Sequence, residues 1–228
     1  MRDLLIVIIV LVAAVAALRR PWIGVLCWTW LSIMNPHRYT WGFAYDAPLA
    51  AIAAGSTLLG LLFTRDRESP FKGSPVVWFV LFTVWITVSW LMGLGPEGDY
   101  DQWNKVMKIN FMILVALALI RSRVQIFSLA WVAVGSLALL GIKGGLFTLA
   151  TGGANRVWGP PGSFIHDNNE FALAMVMTIP LLRFLQMQCT KTWQRHALTG
   201  TMLLCAAAAL GSQSRGALLA IVAMTALL

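Results

Sequence analysis

Ser74-Pro75-Val76-Val77-Trp78-Phe79-Val80-Leu81-Phe82-Thr83-Val84-Trp85-Ile86-Thr87-Val88-Ser89-Trp90-Leu91-Met92-Gly93-Leu94 lies inside a 24-residue stretch without a charged side chain, bounded by Lys72 and Glu97. A bilayer hydrocarbon core about 30 Å thick is crossed by about 20 apolar helical residues. In lipid, a helix is the local structure that pairs all of its own backbone amides. Residues 76–94 therefore read as a membrane crossing, and the fold class follows because the same pattern recurs in both directions along the chain.

Arg123 and Lys143 bracket another 19 uncharged residues, making 124–140 a second full crossing. Asp46 and Arg65 bracket 18, Arg195 and Arg215 bracket 19 with His196 among them, and Arg20 and Arg38 bracket 17 with His37 near the end. Shorter runs at 4–18, 106–120 and 171–185 reach crossing length when Lys105, Lys108 and Arg183 carry their charges out to the headgroups. The first of these ends in Arg19-Arg20-Pro21 and not in a small-residue cleavage site, so it reads as a retained helix and not a signal peptide. Residues 216–228 are apolar to the last position, which reads as a ninth crossing cut short. The expectation is an all-α polytopic transmembrane bundle of about eight complete spans plus a truncated ninth, forming a single membrane domain over residues 1–228.

Composition agrees. Of 228 residues, 59% are apolar and 11% charged, the reverse of a soluble domain, and no length is left over for a separate soluble catalytic domain. Cys27, Cys189 and Cys205 have no paired spacing, which argues against a disulfide framework or a thiolate metal site. The first, third, fifth and seventh connections hold ten Lys/Arg against Asp66 and Glu68, a net charge of +8, whereas the even connections hold six basic and six acidic residues. The positive-inside rule then puts the odd connections in the cytoplasm and the amino terminus outside. Topology thus accounts for the pI of about 10, which gives no support to nucleic-acid binding. Trp22, Trp41, Trp78, Trp90, Trp103, Trp158 and Trp193 fall near expected span ends and read as interfacial belt residues.

The outward face holds one long connection, residues 141–170, reading GIKGGLFTLATGGANRVWGPPGSFIHDNNE. Seven glycines and Pro160-Pro161 call for repeated turns, and residues 146–150 are too short to cross, suggesting a re-entrant or interfacial segment. A passive, floppy loop is the competing reading. Against it, Lys143, Arg156, His166, Asp167, Asn168 and Asn169 concentrate hydrogen-bonding groups beside the start of a span. A second polar island, Gly211-Ser212-Gln213-Ser214-Arg215-Gly216-Ala217, has apolar sequence on both sides. There Arg215 can present a planar, permanently charged fork to an anion, its small neighbours leaving room; an ordinary loop arginine is the alternative. The Asn35-Pro36-His37-Arg38 turn is a weaker candidate, and His196 reads as interfacial. No HExxH, Walker or GxSxG motif occurs, and the acidic turn around Asp99 and Asp101 reads as a solvated cap in preference to a cation loop.

The amino-terminal Met1-Arg2-Asp3-Leu4, the Asn35-Pro36-His37-Arg38 turn, the stretch from Gly162 to Ala172 with His166-Asp167-Asn168-Asn169-Glu170, and Ser212-Gln213-Ser214-Arg215-Gly216-Ala217 together resemble the O-antigen ligase-like superfamily. More narrowly, they resemble the O-glycosylation ligases associated with exosortase A systems. The similarity covers the whole chain and corresponds to the amino-terminal half or more of such a protein. The resemblance implies a multi-pass glycosyltransferase of the bacterial inner membrane. It would move a glycan from an undecaprenyl-diphosphate carrier to a protein or lipid acceptor on the outer side, with no nucleotide sugar, metal or other cofactor. It further implies that Arg215 lies near the donor diphosphate, and that the histidine activating the acceptor lies in a later periplasmic loop, beyond Leu228, leaving donor positioning as the role for His166. On charge grounds alone, Arg215, Arg156 and Lys143 suit a clamp on a departing lipid diphosphate, with His166, Asp167, Asn168 and Asn169 completing the expected substrate-binding set. An O-antigen-type polymerase, and a non-enzymatic transporter or scaffold, remain the alternatives, and acceptor identity, glycan structure and oligomeric state are not legible.

Overall fold

The computed structural model describes residues 2–71, 73–93, 95 and 98–227. Lys72, Leu94, Pro96 and Glu97, which entered the runs and loop counts above, lie outside the described residues, as do Met1 and Leu228. Among the described residues the chain is all-helical, with no strand. Its helices are α1 (Arg2–Arg19), α2 (Pro21–Met34), α3 (Leu49–Phe63), α4 (Ser74–Leu91), α5 (Tyr100–Leu119), α6 (Arg123–Ala150), α7 (Asn168–Gln188), α8 (Thr192–Gly211) and α9 (Arg215–Leu227), with a short 3-10 helix at Pro36–Tyr39.

Each charge-free run coincides with a helix, but helices both long and apolar enough to cross are rarer than the runs suggested. Three helices, α4, α6 and α7, are long and apolar enough to cross a membrane. Among the described residues that is fewer than the eight complete spans expected, for a physical reason: a run free of charge also contains residues that are not helical. Asn35 takes a left-handed conformation (φ 46°) before Pro36, a position where α geometry is disfavoured, so α2 stops at 14 residues, about 21 Å. In the third run the helix starts only at Leu49, leaving 15 residues. Helices α1 and α5 have the length, but carry Arg2, Asp3 and Arg19, and Asp101, Lys105 and Lys108.

The second correction concerns residues 141–170. Helix α6 continues unbroken through Ala150, so residues 146–150 are ordinary helix with no re-entrant break, and the irregular connection is 151–167. Gly141 and Gly145 stand four residues apart on one helical face and serve packing, not turning. A Cβ on Gly145 would run into the Leu204 carbonyl of α8, and one on Gly141 into Cys205 Sγ. This small-xxx-small spacing lets two backbones touch, the main source of helix association where lipid gives no hydrophobic drive.

The chain divides into two compact units. One comprises the described residues of Met1–Ile8, Trp28–Leu49 and Phe127–Leu228. Its core is Phe171, Met175, Leu182 and Leu185 of α7, packed with Val134 and Ala138 of α6, Cys205, Ala208 and Ala209 of α8, and Ala217 of α9. The other comprises Ile9–Cys27 and Ala50–Ile126. There α4 and α5 are joined by side-chain hydrogen bonds, Asn110 Nδ2 to Thr83 Oγ1 at 3.1 Å and Trp103 Nε1 to Thr87 Oγ1 at 3.3 Å. The rings of Trp90 and Trp103 stack at 4.4 Å near the same helix ends. On α4, Trp78, Leu81, Phe82 and Trp85 are all exposed, an apolar surface suited to lipid.

Candidate functional site

The site belongs to the unit containing residues 127–228 and begins where α6 ends. Gly152 and Gly153 both take positive φ (59° and 77°), turning the chain back at a place where a side chain would be strained. Val157 is buried, and its amide donates to the Gly211 carbonyl at 3.0 Å. Gln213 Nε2 donates to the Gly153 carbonyl at 3.1 Å, and Asn168 Nδ2 to the Ser212 carbonyl at 3.0 Å. Three hydrogen bonds therefore hold the 151–167 connection and the start of α7 against the turn between α8 and α9. Both polar islands of the sequence meet here, although some sixty residues of chain separate Gly153 from Gln213.

Within this cluster the candidate residues have different fates. Arg156 is exposed, its guanidinium 5.7 Å from the Trp158 ring, and the Trp158 and His166 rings lie 6.3 Å apart. Arg156, Trp158 and exposed His166 thus form one surface. Arg215 is exposed at the first position of α9, directly after Ser214, whose hydroxyl accepts from the Ala217 amide at 3.4 Å. The four leading amides of a helix carry partial positive charge, so this cation and helix end together favour an anion.

Asp167 and Asn168, expected to bind substrate, are both engaged in hydrogen bonds within the fold. Asp167 is the N-cap of α7 and accepts from the Asn169 amide at 2.8 Å. That backbone hydrogen bond holds its carboxyl below the usual carboxylate range. Asn168 is buried, with its amide nitrogen bonded to Ser212, and Asn169 is exposed beside Asp167. Because the bond is stronger to the ionised form, that extra contribution is present above the ordinary carboxylate pKa and is lost as pH falls through the lowered one. Asp167→Ala is expected to lower the melting temperature at neutral pH. Asp167→Asn, also a good cap, should keep it and flatten its dependence on acid pH. Differential scanning fluorimetry of both variants between acid and neutral pH checks this, and an unchanged Asp167→Ala protein would remove the capping role.

Lys143 stands apart from that surface. It projects from α6 with Nζ 4.4 Å from the Tyr39 ring and lines an apolar-walled cleft of about 340 Å³ with Arg2, Leu5, Met34, Tyr39 and Leu140; neither Arg156 nor Arg215 lines this cleft. Asp3 fastens the adjoining loop by accepting from the amides of Gly42 and Ala44 at 3.1 and 3.3 Å. Arg38 pairs with Asp46 at 3.5 Å and stacks over Tyr45. His37 Nδ1 is buried without a hydrogen-bond partner among the described residues, and burial, followed by the Arg38 charge, lowers its pKa. Arg2 and Tyr39 were not legible as site residues. Their partner Lys143 is more than a hundred positions away, and no local motif joins them.

The described residues thus form an all-helical protein with three helices long and apolar enough to cross a membrane and a cationic polar cluster at the ends of α6 to α9. The chain belongs to a family of unknown function, DUF5935, matched over residues 1–190. Arg156, His166 and Lys143 lie inside the matched region, and Arg215 outside it. No curated protein and no solved structure matches the chain.

Proposed function

We propose that the protein is a multi-pass membrane glycosyltransferase of the O-antigen ligase-like kind, transferring a glycan from an undecaprenyl-diphosphate carrier to a protein or lipid acceptor on the outer side of the bacterial inner membrane. The observation that carries this reading is the tie between the 151–167 connection and the α8–α9 turn, which sets two exposed arginines on two hydrogen-bonded segments. Arg156 immediately precedes Val157, bonded to Gly211, and Arg215 immediately follows the turn holding Ser212 and Gln213. In the reaction, an acceptor hydroxyl oxygen bonds to the anomeric carbon, whose bond to the diphosphate oxygen breaks. The electron pair leaves with the lipid diphosphate, and the hydroxyl proton passes to a base. Guanidinium groups suit the leaving diphosphate because they offer parallel donors and a charge that persists at any working pH. In this reading the remaining helices also reside in the bilayer, those below crossing length being completed by flanking residues and neighbours.

The test is transfer of labelled glycan from a purified undecaprenyl-diphosphate donor by the full-length protein in proteoliposomes. Appearance of glycan on an acceptor with release of the lipid diphosphate supports the reading. Growth of the glycan on a second lipid carrier supports a polymerase instead, and donor movement across the bilayer without transfer supports a transporter.

Orientation is tested separately. Cys27, Cys189 and Cys205 are all buried, so engineered cysteines report with little background. In intact cells a membrane-impermeant maleimide is expected to label Ala154→Cys and spare Ser69→Cys, and the reverse pattern would invert the topology.

A further inference from the structure

A second cleft, polar where the first is apolar-walled, lies in the unit formed by Ile9–Cys27 and Ala50–Ile126. Its volume is about 220 Å³, and its walls include Arg19, Arg20, Trp22, Thr64 and Asp66. Arg20 is the single residue between α1 and α2, so two adjacent arginines are held at a helix junction that has no slack. Asp66 does not cancel them alone, because it pairs with Arg121 Nη1 at 3.2 Å. The same guanidinium reaches Glu68 at 3.5 Å, while its Nε and Nη2 are buried and have no acceptor among the described residues. Buried donors without partners are rare because desolvating them is costly, and Arg121 stands beside the cleft-lining Asp66 without itself lining the cleft.

We propose that this cleft binds the phosphate of an anionic membrane phospholipid, gripped by Arg19 and Arg20, with Arg121 as the cation behind Asp66. A lipid fits better than a soluble anion because exposed apolar residues flank the lining ones in sequence, Leu18 before Arg19 and Leu62-Phe63 before Thr64, and can bed acyl chains. Trp22 supplies the indole that favours headgroup depth. The cleft also lies among the odd connections, the face assigned to the cytoplasm, where anionic headgroups meet basic pockets between helices. The inference rests on the membrane-spanning reading and does not depend on glycosyl transfer.

The experiment is native mass spectrometry of the full chain in a neutral detergent, titrated with phosphatidylglycerol or with phosphatidylcholine of the same acyl chains. Phosphatidylglycerol is expected to be retained preferentially. Arg19→Gln with Arg20→Gln should weaken that retention roughly tenfold, as loss of charge-assisted bonds to phosphate implies. Arg65→Gln with Arg123→Gln removes the same charge from residues that do not line the cleft and should leave retention unchanged. Equal weakening in the two pairs would reduce the effect to general surface charge and overturn the site, as would equal retention of the two lipids. Competition by glycerol 1-phosphate at comparable concentration would overturn the lipid assignment. If the first pair does not elute as a monodisperse protein, Arg19→Gln alone and the charge-keeping Arg19→Lys with Arg20→Lys provide the comparison, the former losing and the latter keeping most of the retention.

Discussion

Arg215→Ala is expected to abolish most glycan transfer while leaving the protein folded. Arg215 is exposed, and the turn that positions it is held by backbone and by Asn168 and Gln213, so its removal deletes charge without opening a core. If it stabilises the leaving diphosphate, the loss should match that of a preorganised oxyanion donor, about 2.7–4 kcal/mol or roughly a hundredfold to a thousandfold in rate. Arg215→Lys should recover only part of this, because an ammonium is a point charge and cannot offer two parallel donors. Transfer rate, membrane abundance and melting temperature are measured together. Activity of Arg215→Ala within about threefold of the parent would be too small for an oxyanion donor and would remove the clamp role. A parallel fall in abundance and activity would make the residue structural.

The second large effect is on folding. Gly145→Ala should destabilise the protein by about 1–3 kcal/mol, the usual cost of overpacking. Helix propensity alone argues the opposite, since alanine is favoured over glycine in a helix interior by about 1 kcal/mol. Packing wins here because the added carbon meets the backbone of Leu204, whose Cα would lie at 2.9 Å and which has no rotamer to move. Gly135, in the same helix, supplies the control: nothing lies within 4 Å of its missing side chain, so Gly135→Ala should gain up to about 1 kcal/mol. Thermal unfolding of the two variants in one detergent decides the matter. A Gly145→Ala protein as stable as the parent would mean that α6 and α8 separate at little cost.

That contrast also shows where the sequence was informative. Helix positions follow from charge, since a charged side chain in lipid is expensive whatever its surroundings, and the run at 76–94 reappears as α4, Ser74–Leu91. Helix ends follow from backbone conformation, which a count of uncharged residues does not contain, and Asn35 stops α2 inside an uncharged run. Glycine was ambiguous for a related reason. The same residue marks a turn at Gly152 and Gly153 and a helix contact at Gly141 and Gly145, and only the position of α8 separates the two uses. In the candidate site the exposed cations were legible, as residues that polar islands in an apolar chain leave over. Roles that depend on distant partners were not: Asn168 looks like a ligand-binding amide until Ser212, forty-four positions on, takes its hydrogen bond.

The length of α6 has a consequence for the conditions in which the cationic surface works. In the proposed membrane-spanning reading, an upright α6 with Arg123 in one headgroup layer would bring Lys143, at a rise of about 1.5 Å per residue, to the opposite layer about 30 Å away. The final turns, up to Ala150, would then stand roughly 10 Å clear of the hydrocarbon, like a mast carrying the 151–167 segment into water. Arg156 and His166 would thus meet their ligand in an ion-rich layer, where the Debye length is about 8 Å at physiological ionic strength. In that reading their contribution to capturing an anionic headgroup should fade with added salt, whereas Lys143, held over Tyr39 and placed at headgroup depth, should be far less sensitive to it.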